Sequence, residues 1–111
     1  MIKIIVGTNR KNSVSKQIAL YYQGLLSQKG VESEILELED LPSDFIETAL
    51  YENNGKNEEY NSFHQRVADG KKFVFIVPEY NGSFPGILKS FIDGMTYPNT
   101  FRNKKAALVG L

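Results

Sequence analysis

Short, almost wholly apolar runs, with a helically patterned stretch between each and the next, constrain this chain more than any other feature. Ile2-Lys3-Ile4-Ile5-Val6 is the first and ends at Gly7. Phe73-Val74-Phe75-Ile76-Val77 is apolar throughout, and Ala106-Ala107-Leu108-Val109 follows Lys105. The first run predicts a strand buried on both faces, Phe73–Val77 a central one, and Lys105–Val109 the opening of a fourth. Residues Val31 to Leu38 alternate instead, which predicts a strand with one wetter face; the acidic stretch Glu37 to Asp40 reads as its solvated end. Between the runs, Val14, Ile18, Tyr21, Tyr22 and Leu25 recur at helical spacing, with Gly30 placed to close the helix. A short helix is expected over Phe45–Tyr51. A longer one is expected over Glu58–Ala68, carrying Tyr60, Phe63 and Val67 on one stripe. Ile87, Leu88, Phe91, Ile92 and Met95 predict a last helix before the fourth strand. Strands alternating with helices define an α/β parallel sheet, doubly wound by right-handed crossovers.

With 111 residues the chain is expected to form a single domain, residues 1–111. Lys+Arg and Asp+Glu both number 13, and this balance argues against nucleic acid or an anionic membrane as partner. No apolar run approaches the roughly 18 residues of a membrane span, and the first residues do not pattern as a signal peptide. The absence of cysteine removes disulfides, thiolate chemistry and Cys metal sites. The expected location, by default, is the cytoplasm.

In open parallel sheets ligands sit beyond the carboxyl ends of the strands, at the point where the strand order reverses. Two loops fall there. Gly7-Thr8-Asn9-Arg10-Lys11-Asn12-Ser13-Val14-Ser15 joins a buried strand to a helix N-terminus. Free backbone N–H groups, the helix dipole, the hydroxyls of Thr8, Ser13 and Ser15 and the guanidinium of Arg10 suit a phosphate monoester. The spacing matches neither a Walker A loop nor G-x-G-x-x-G. The same residues also suit a helix cap at Ser13 beside a solvated Arg10. The second loop is Pro78-Glu79-Tyr80-Asn81-Gly82-Ser83-Phe84-Pro85-Gly86. Its prolines and glycines fix an unusual backbone, Tyr80 offers an aromatic face, and Pro85 suits the first helical position. A rigid turn with Tyr80 and Phe84 packed in the core is the alternative reading.

The segment P-E-Y-N-G-S-F-P-G-I-L-K-S-F-I-D, Pro78 to Asp93, resembles the signature of the NADPH-dependent FMN reductase family. Azo, quinone and chromate reductases are relatives within it. The opening G-T-N-R-K-N-S-V-S is similar to that family's phosphate loop, with Thr8 where Ser is usual. The resemblance implies a flavodoxin-like fold with strand order 2-1-3-4 and then a fifth strand. It also implies FMN as cofactor, with NADPH or NADH as donor. A hydride then passes through flavin N5 to a quinone, azo compound, metal oxyanion or flavin. It implies dimers or tetramers with flavin near a subunit interface. Matched residue by residue, Thr8, Arg10, Ser13 and Ser15 fall on the phosphate-binding positions. Pro78, Glu79, Tyr80, Asn81, Gly82 and Ser83 fall on the isoalloxazine loop. Hydride transfer needs no protein base, so Glu79 is expected to fix the loop or to lie at an interface rather than to move protons. His64, the only histidine, is expected at a surface or interface.

Members of that family continue past the fourth strand into a third flavin loop, a helix, a fifth strand and a last helix. The sequence stops at Leu111, so the expectation is a truncated domain, or one that needs a partner to cover a bare sheet edge, oligomeric or aggregation-prone by itself. A flavodoxin-like electron carrier without NAD(P)H turnover, and a flavin-free interaction protein, are the competing functions. A phosphoacceptor receiver domain is excluded because Val77-Pro78 stands where its Asp belongs.

Overall fold

A computed structural model describes all residues, Met1–Leu111. Strands β1 (Ile2–Val6), β2 (Ser33–Glu37), β3 (Lys72–Val77) and β4 (Lys105–Gly110) form one parallel sheet in the order β2-β1-β3-β4. This is the flavodoxin-like order that the sequence implied. β1 pairs with β2 from Ile2↔Ser33 to Val6↔Glu37 and with β3 from Ile2↔Lys72 to Val6↔Ile76. Four helices flank the sheet: α1 (Val14–Gln28), α2 (Phe45–Thr48), α3 (Glu58–Ala68) and α4 (Gly86–Asp93).

The period-two alternation of a strand sorts β1 between two cores. Ile4 and Val6 join Val74, Ile76 and Ala19 under α1. Ile5 faces the other way, into a larger core with Leu36, Phe45, Tyr60, Phe63, Val67, Phe73 and Phe91. Phe45 stacks on Tyr60 at 5.6 Å, and Phe63 meets Phe91 edge-on at 6.0 Å, so aromatic contacts fasten α2 and α4 to α3. The expected stripe of α3 is buried as a unit: Tyr60, Phe63 and Val67 all lie inside.

Some boundaries and faces differ from expectation. β2 is Ser33–Glu37, shorter than Val31–Leu38, because Gly30 at φ 73° still belongs to the helix cap. Gly30 N–H donates to the Ser27 carbonyl and Val31 N–H to that of Leu26, both at 2.9 Å, the pairing of a Schellman cap. The acidic stretch is a 3₁₀ turn, Leu38–Asp40, with Leu38 buried rather than solvated. α2 ends at Thr48, and Pro85 is the N-cap of α4 rather than its first residue. In α1 the inward face carries Ser15 and Ala19, with Ile18, Tyr22 and Leu26 packed beside them, while Val14, Tyr21 and Leu25 are exposed. The phase is set by small residues, which let the helix sit close on the sheet. An apolar stripe drawn through the large residues alone is rotated from the true one. No helix is long and apolar enough to cross a membrane.

Candidate functional site

The strand order reverses between β1 and β3, and both candidate loops leave the sheet there, side by side. Gly7 continues the ladder, its N–H donating to the Ile76 carbonyl at 2.8 Å. A Cβ on Gly7 would lie 2.8 Å from that same oxygen, so only glycine lets the chain leave β1 this close to β3. The chain then turns through Asn12 at φ 53°, a conformation Asn tolerates, and enters α1. Ser13 caps that helix: its hydroxyl accepts the Lys16 N–H at 3.1 Å and its carbonyl accepts the Gln17 N–H at 3.4 Å. The N–H groups of Val14 and Ser15 are left with no intrahelical acceptor, and they sit at the positive end of a 15-residue helix.

The second loop is a tight hairpin turn. Tyr80 N–H donates to the Ser83 carbonyl at 2.8 Å and Ser83 N–H to the Tyr80 carbonyl at 3.2 Å. Asn81 and Gly82, at φ 56° and 83°, occupy the two central positions, as a type I′ Asn-Gly turn requires. The Glu79 carboxylate accepts the Gly82 N–H and closes the turn from beneath. Space around Gly82 is open, so its need for glycine is conformational and not a matter of crowding. Pro85 is buried and ends the loop, and the N-terminus of α4 follows.

Between the loops lies a cleft of about 330 Å³ lined by Arg10, Asn12, Ser13, Val14, Ser15, Pro78, Glu79, Tyr80 and Leu111. Six of the ten residues expected at the site therefore line one cleft: Arg10, Ser13, Ser15, Pro78, Glu79 and Tyr80. Asn81, Gly82 and Ser83 form the exposed rim of the turn. Thr8 stands behind the cleft wall, with only 1% of its surface exposed. Its Oγ1 lies 2.6 Å from the Tyr80 hydroxyl and accepts the Arg10 N–H at 3.2 Å. Asn12, Val14 and Leu111 line the cleft without having been singled out. The Lys-Asn-Ser sequence ahead of α1 was the available signal for Asn12, since Asn before a Ser cap marks a left-handed turn residue. Tyr80 and Phe84 are not core residues: Tyr80 walls the cleft and Phe84 is half exposed. A larger hollow of about 550 Å³, lined in part by Met1, Gln23 and Ser33, lies at the opposite, amino-terminal edge of the sheet. Its lining includes no helix N-terminus and no Lys or Arg side chain.

His64 is half-buried on α3, its Nε2 3.2 Å from Thr100 Oγ1, and burial holds its pKa below the usual imidazole value. It meets Thr96 and Thr100 in the segment after α4 and does not line the cleft.

An open parallel sheet in the order β2-β1-β3-β4, with helices on its faces and both loops leaving it at the switch point, is a flavodoxin-like fold. The chain belongs to the NADPH-dependent FMN reductase family, whose profile matches residues 1–111. It is 29% identical to a 2-hydroxy-1,4-benzoquinone reductase of Burkholderia sp over 98% of its own length and 58% of that protein. It is 32% identical to an NAD(P)H:quinone oxidoreductase of Solanum tuberosum, over 95% of this chain and 55% of that one. Among solved structures, the flavoenzyme NAD(P)H:(acceptor) oxidoreductase FerB of Paracoccus denitrificans superposes with a TM-score of 0.74 at 30% identity, over 98% of this chain and 59% of FerB. The chain thus spans somewhat more than half the length of the relatives it matches.

Proposed function

We propose that this chain is the FMN-binding core of an NAD(P)H-dependent reductase that passes a hydride to a small-molecule acceptor. One observation carries the reading. The loop after β1 and the loop after β3 converge on a single cleft, with Arg10 and the α1 N-terminus at one end and the Tyr80–Ser83 turn at the other. The cleft therefore offers an anion subsite joined to a rigid platform, which is what a flavin phosphate presents as ligand. Family membership and the names of the relatives support a quinone or azo acceptor.

Arg10 and the N–H groups of Val14 and Ser15 hold the phosphate in this reading, with Ser15 on the cleft wall. Ser13 keeps the helix terminus open by capping a later N–H. The Tyr80–Ser83 turn lies against the ring system, and Glu79 fixes that turn instead of titrating with substrate. Bound FMN supplies two-electron transfer, and the protein supplies position and electrostatics. α4 starts directly after the second loop, and the positive end of its dipole favours negative charge near that loop. Assembly into a dimer or tetramer and a cytoplasmic location go with this reading. The exposed apolar residues Phe84, Ile92 and Tyr97 on and around α4 supply a surface for a second copy.

The test is spectroscopic and kinetic. Purified protein loaded with FMN should show flavin absorbance bands, and those bands should bleach anaerobically on addition of NADPH or NADH and return with a quinone. A protein that holds FMN yet never oxidises either nucleotide is an electron carrier. One that holds no flavin overturns the reading entirely.

A further inference from the structure

We propose that the hydroxyls of Thr8 and Tyr80 form a clasp that couples the two loops, so that an anion held after β1 and a planar ring held after β3 reinforce each other's binding. The proposal deepens the flavin reading and rests on it. Thr8 and Tyr80 are positioning residues in this scheme, acting through the loops that carry the ligand contacts.

The clasp bridges 72 positions of sequence and is the single side-chain hydrogen bond between the two loops. Thr8 is buried, so its hydroxyl has no water to turn to, and Tyr80 is its side-chain partner. The β-branch restricts the Thr8 rotamer, which aims the hydroxyl at Tyr80 before any ligand arrives. On one side, the same oxygen accepts the Arg10 N–H, so the clasp also sets the backbone that presents the Arg10 guanidinium. On the other side, Tyr80 opens a turn whose two central residues and whose Glu79 cap leave little freedom. Displacing the Tyr80 ring therefore displaces the turn as a body. Counting protons gives the second argument. The two hydroxyls carry two protons and their mutual bond uses one. Cooperative O–H chains strengthen when one end is fixed. An anion that orders the Arg10 backbone fixes the Thr8 end, and the turn is then ordered at lower cost when a ring docks. Coupling of this kind is reciprocal by thermodynamic necessity.

Riboflavin and inorganic phosphate separate the two halves of the ligand. Riboflavin is titrated into the flavin-free protein by fluorescence quenching, with and without phosphate. Phosphate should tighten riboflavin binding by about three- to tenfold, the span of one net hydrogen bond. Tyr80→Phe and Thr8→Val should each bring that factor to about one, whereas Thr8→Ser keeps it. Tyr80→Phe removes a single oxygen from a part-exposed ring, so it carries the test if Thr8→Val fails to fold. A coupling factor unchanged in Tyr80→Phe overturns the clasp, and so does its absence in the parent when both ligands bind. If riboflavin does not bind the parent, the flavin reading fails, and amide NMR still judges the clasp. Phosphate should shift the Asn81 and Gly82 amides of the parent and leave those of Tyr80→Phe in place. Equal shifts in both proteins, or none in the parent, overturn it.

Discussion

Arg10 is the one cation on the cleft wall, and it carries the sharpest single-residue expectation. Arg10→Ala should weaken FMN binding by about 1.5–3 kcal/mol, the range for a hydrogen bond to a charged group. Riboflavin, which lacks the phosphate, should bind parent and variant alike. Isothermal titration of both ligands decides it, and an equal loss for riboflavin would place Arg10 against the ring. Gly82 poses a different problem. At φ 83° any side chain is strained although nothing crowds it. Gly82→Val should therefore distort the turn and lose flavin while leaving the thermal midpoint close to that of the parent, because the residue lies on an exposed rim. A midpoint that falls steeply with flavin affinity intact would show that the turn serves the fold instead.

Between elements, the charged cluster Lys3, Glu34 and Arg66 ties β1, β2 and α3 together. Lys3 is buried in the sheet and reaches Glu34 at 2.5 Å, and Arg66 reaches the other Glu34 oxygen at 2.9 Å. Burial alone raises the Glu34 pKa, but hydrogen bonds and charge from Lys3 and Arg66 outweigh it and hold the pKa below the ordinary 4.5. A depressed carboxylate pKa stabilises the fold above the unfolded value and loses that contribution as pH falls through the folded one. Glu34→Gln should thus cost about 1–3 kcal/mol near neutrality, less than a fully buried pair because Glu34 is part-exposed. The difference from the parent should close as pH drops below 4.5. Thermal unfolding of both proteins across pH measures this, and a gap that persists in acid would assign the cost to packing. Tyr60 and Gly94 form a second joint. A Cβ on Gly94 would fall 1.8 Å from the Tyr60 hydroxyl, which is itself buried without a partner and pushed up to about 12 by burial. Gly94→Ala should cost about 1–3 kcal/mol by overpacking. Tyr60→Phe should recover part of that, since it removes the nearest atom. Denaturant unfolding of the double variant would refute the joint if the two costs simply added.

These joints also mark what the sequence discloses. Strand and helix order followed from periodicity because β1 and β3 are apolar enough to be buried on both faces, and α3 shows its stripe plainly. The inward face of α1 did not follow, since Ser15 and Ala19 carry no strong apolar signal. The cleft was legible in its loops, where Gly, Pro and Asn-Gly each impose a backbone. It was illegible where contacts cross the fold. Nothing local in Thr8 announces Tyr80, and nothing in Lys3 announces Glu34, because tertiary pairing selects those partners.

At the scale of the whole molecule, the sheet is protected unevenly. β1 and β3 are paired on both sides. β2 also pairs on one side only, with β1, but its residues are buried or part-buried. β4 pairs with β3 alone, and of its residues only Val109 is as much as half-buried. Leu108 is 78% exposed, so an apolar side chain stands beside a row of free N–H and C=O groups. An exposed apolar edge is a template for pairing with another chain. Net charge adds no protection, since positive and negative groups cancel to zero and leave no long-range repulsion between copies. Lys105 sits directly opposite Lys72 at the start of the strand, which discourages pairing there, but the following residues Ala106 to Val109 carry no charge. A protein of residues 1–111 is therefore expected to associate through the β4 edge, with a mass that rises with concentration. Leu108→Lys places a charge in the middle of that edge and should return the protein to a monomer, leaving its circular dichroism unchanged because the side chain makes little contact with the core. Multi-angle light scattering on the two proteins distinguishes the cases. Association that survives Leu108→Lys would move the contact to the exposed apolar residues on and around α4, Phe84, Ile92 and Tyr97 among them.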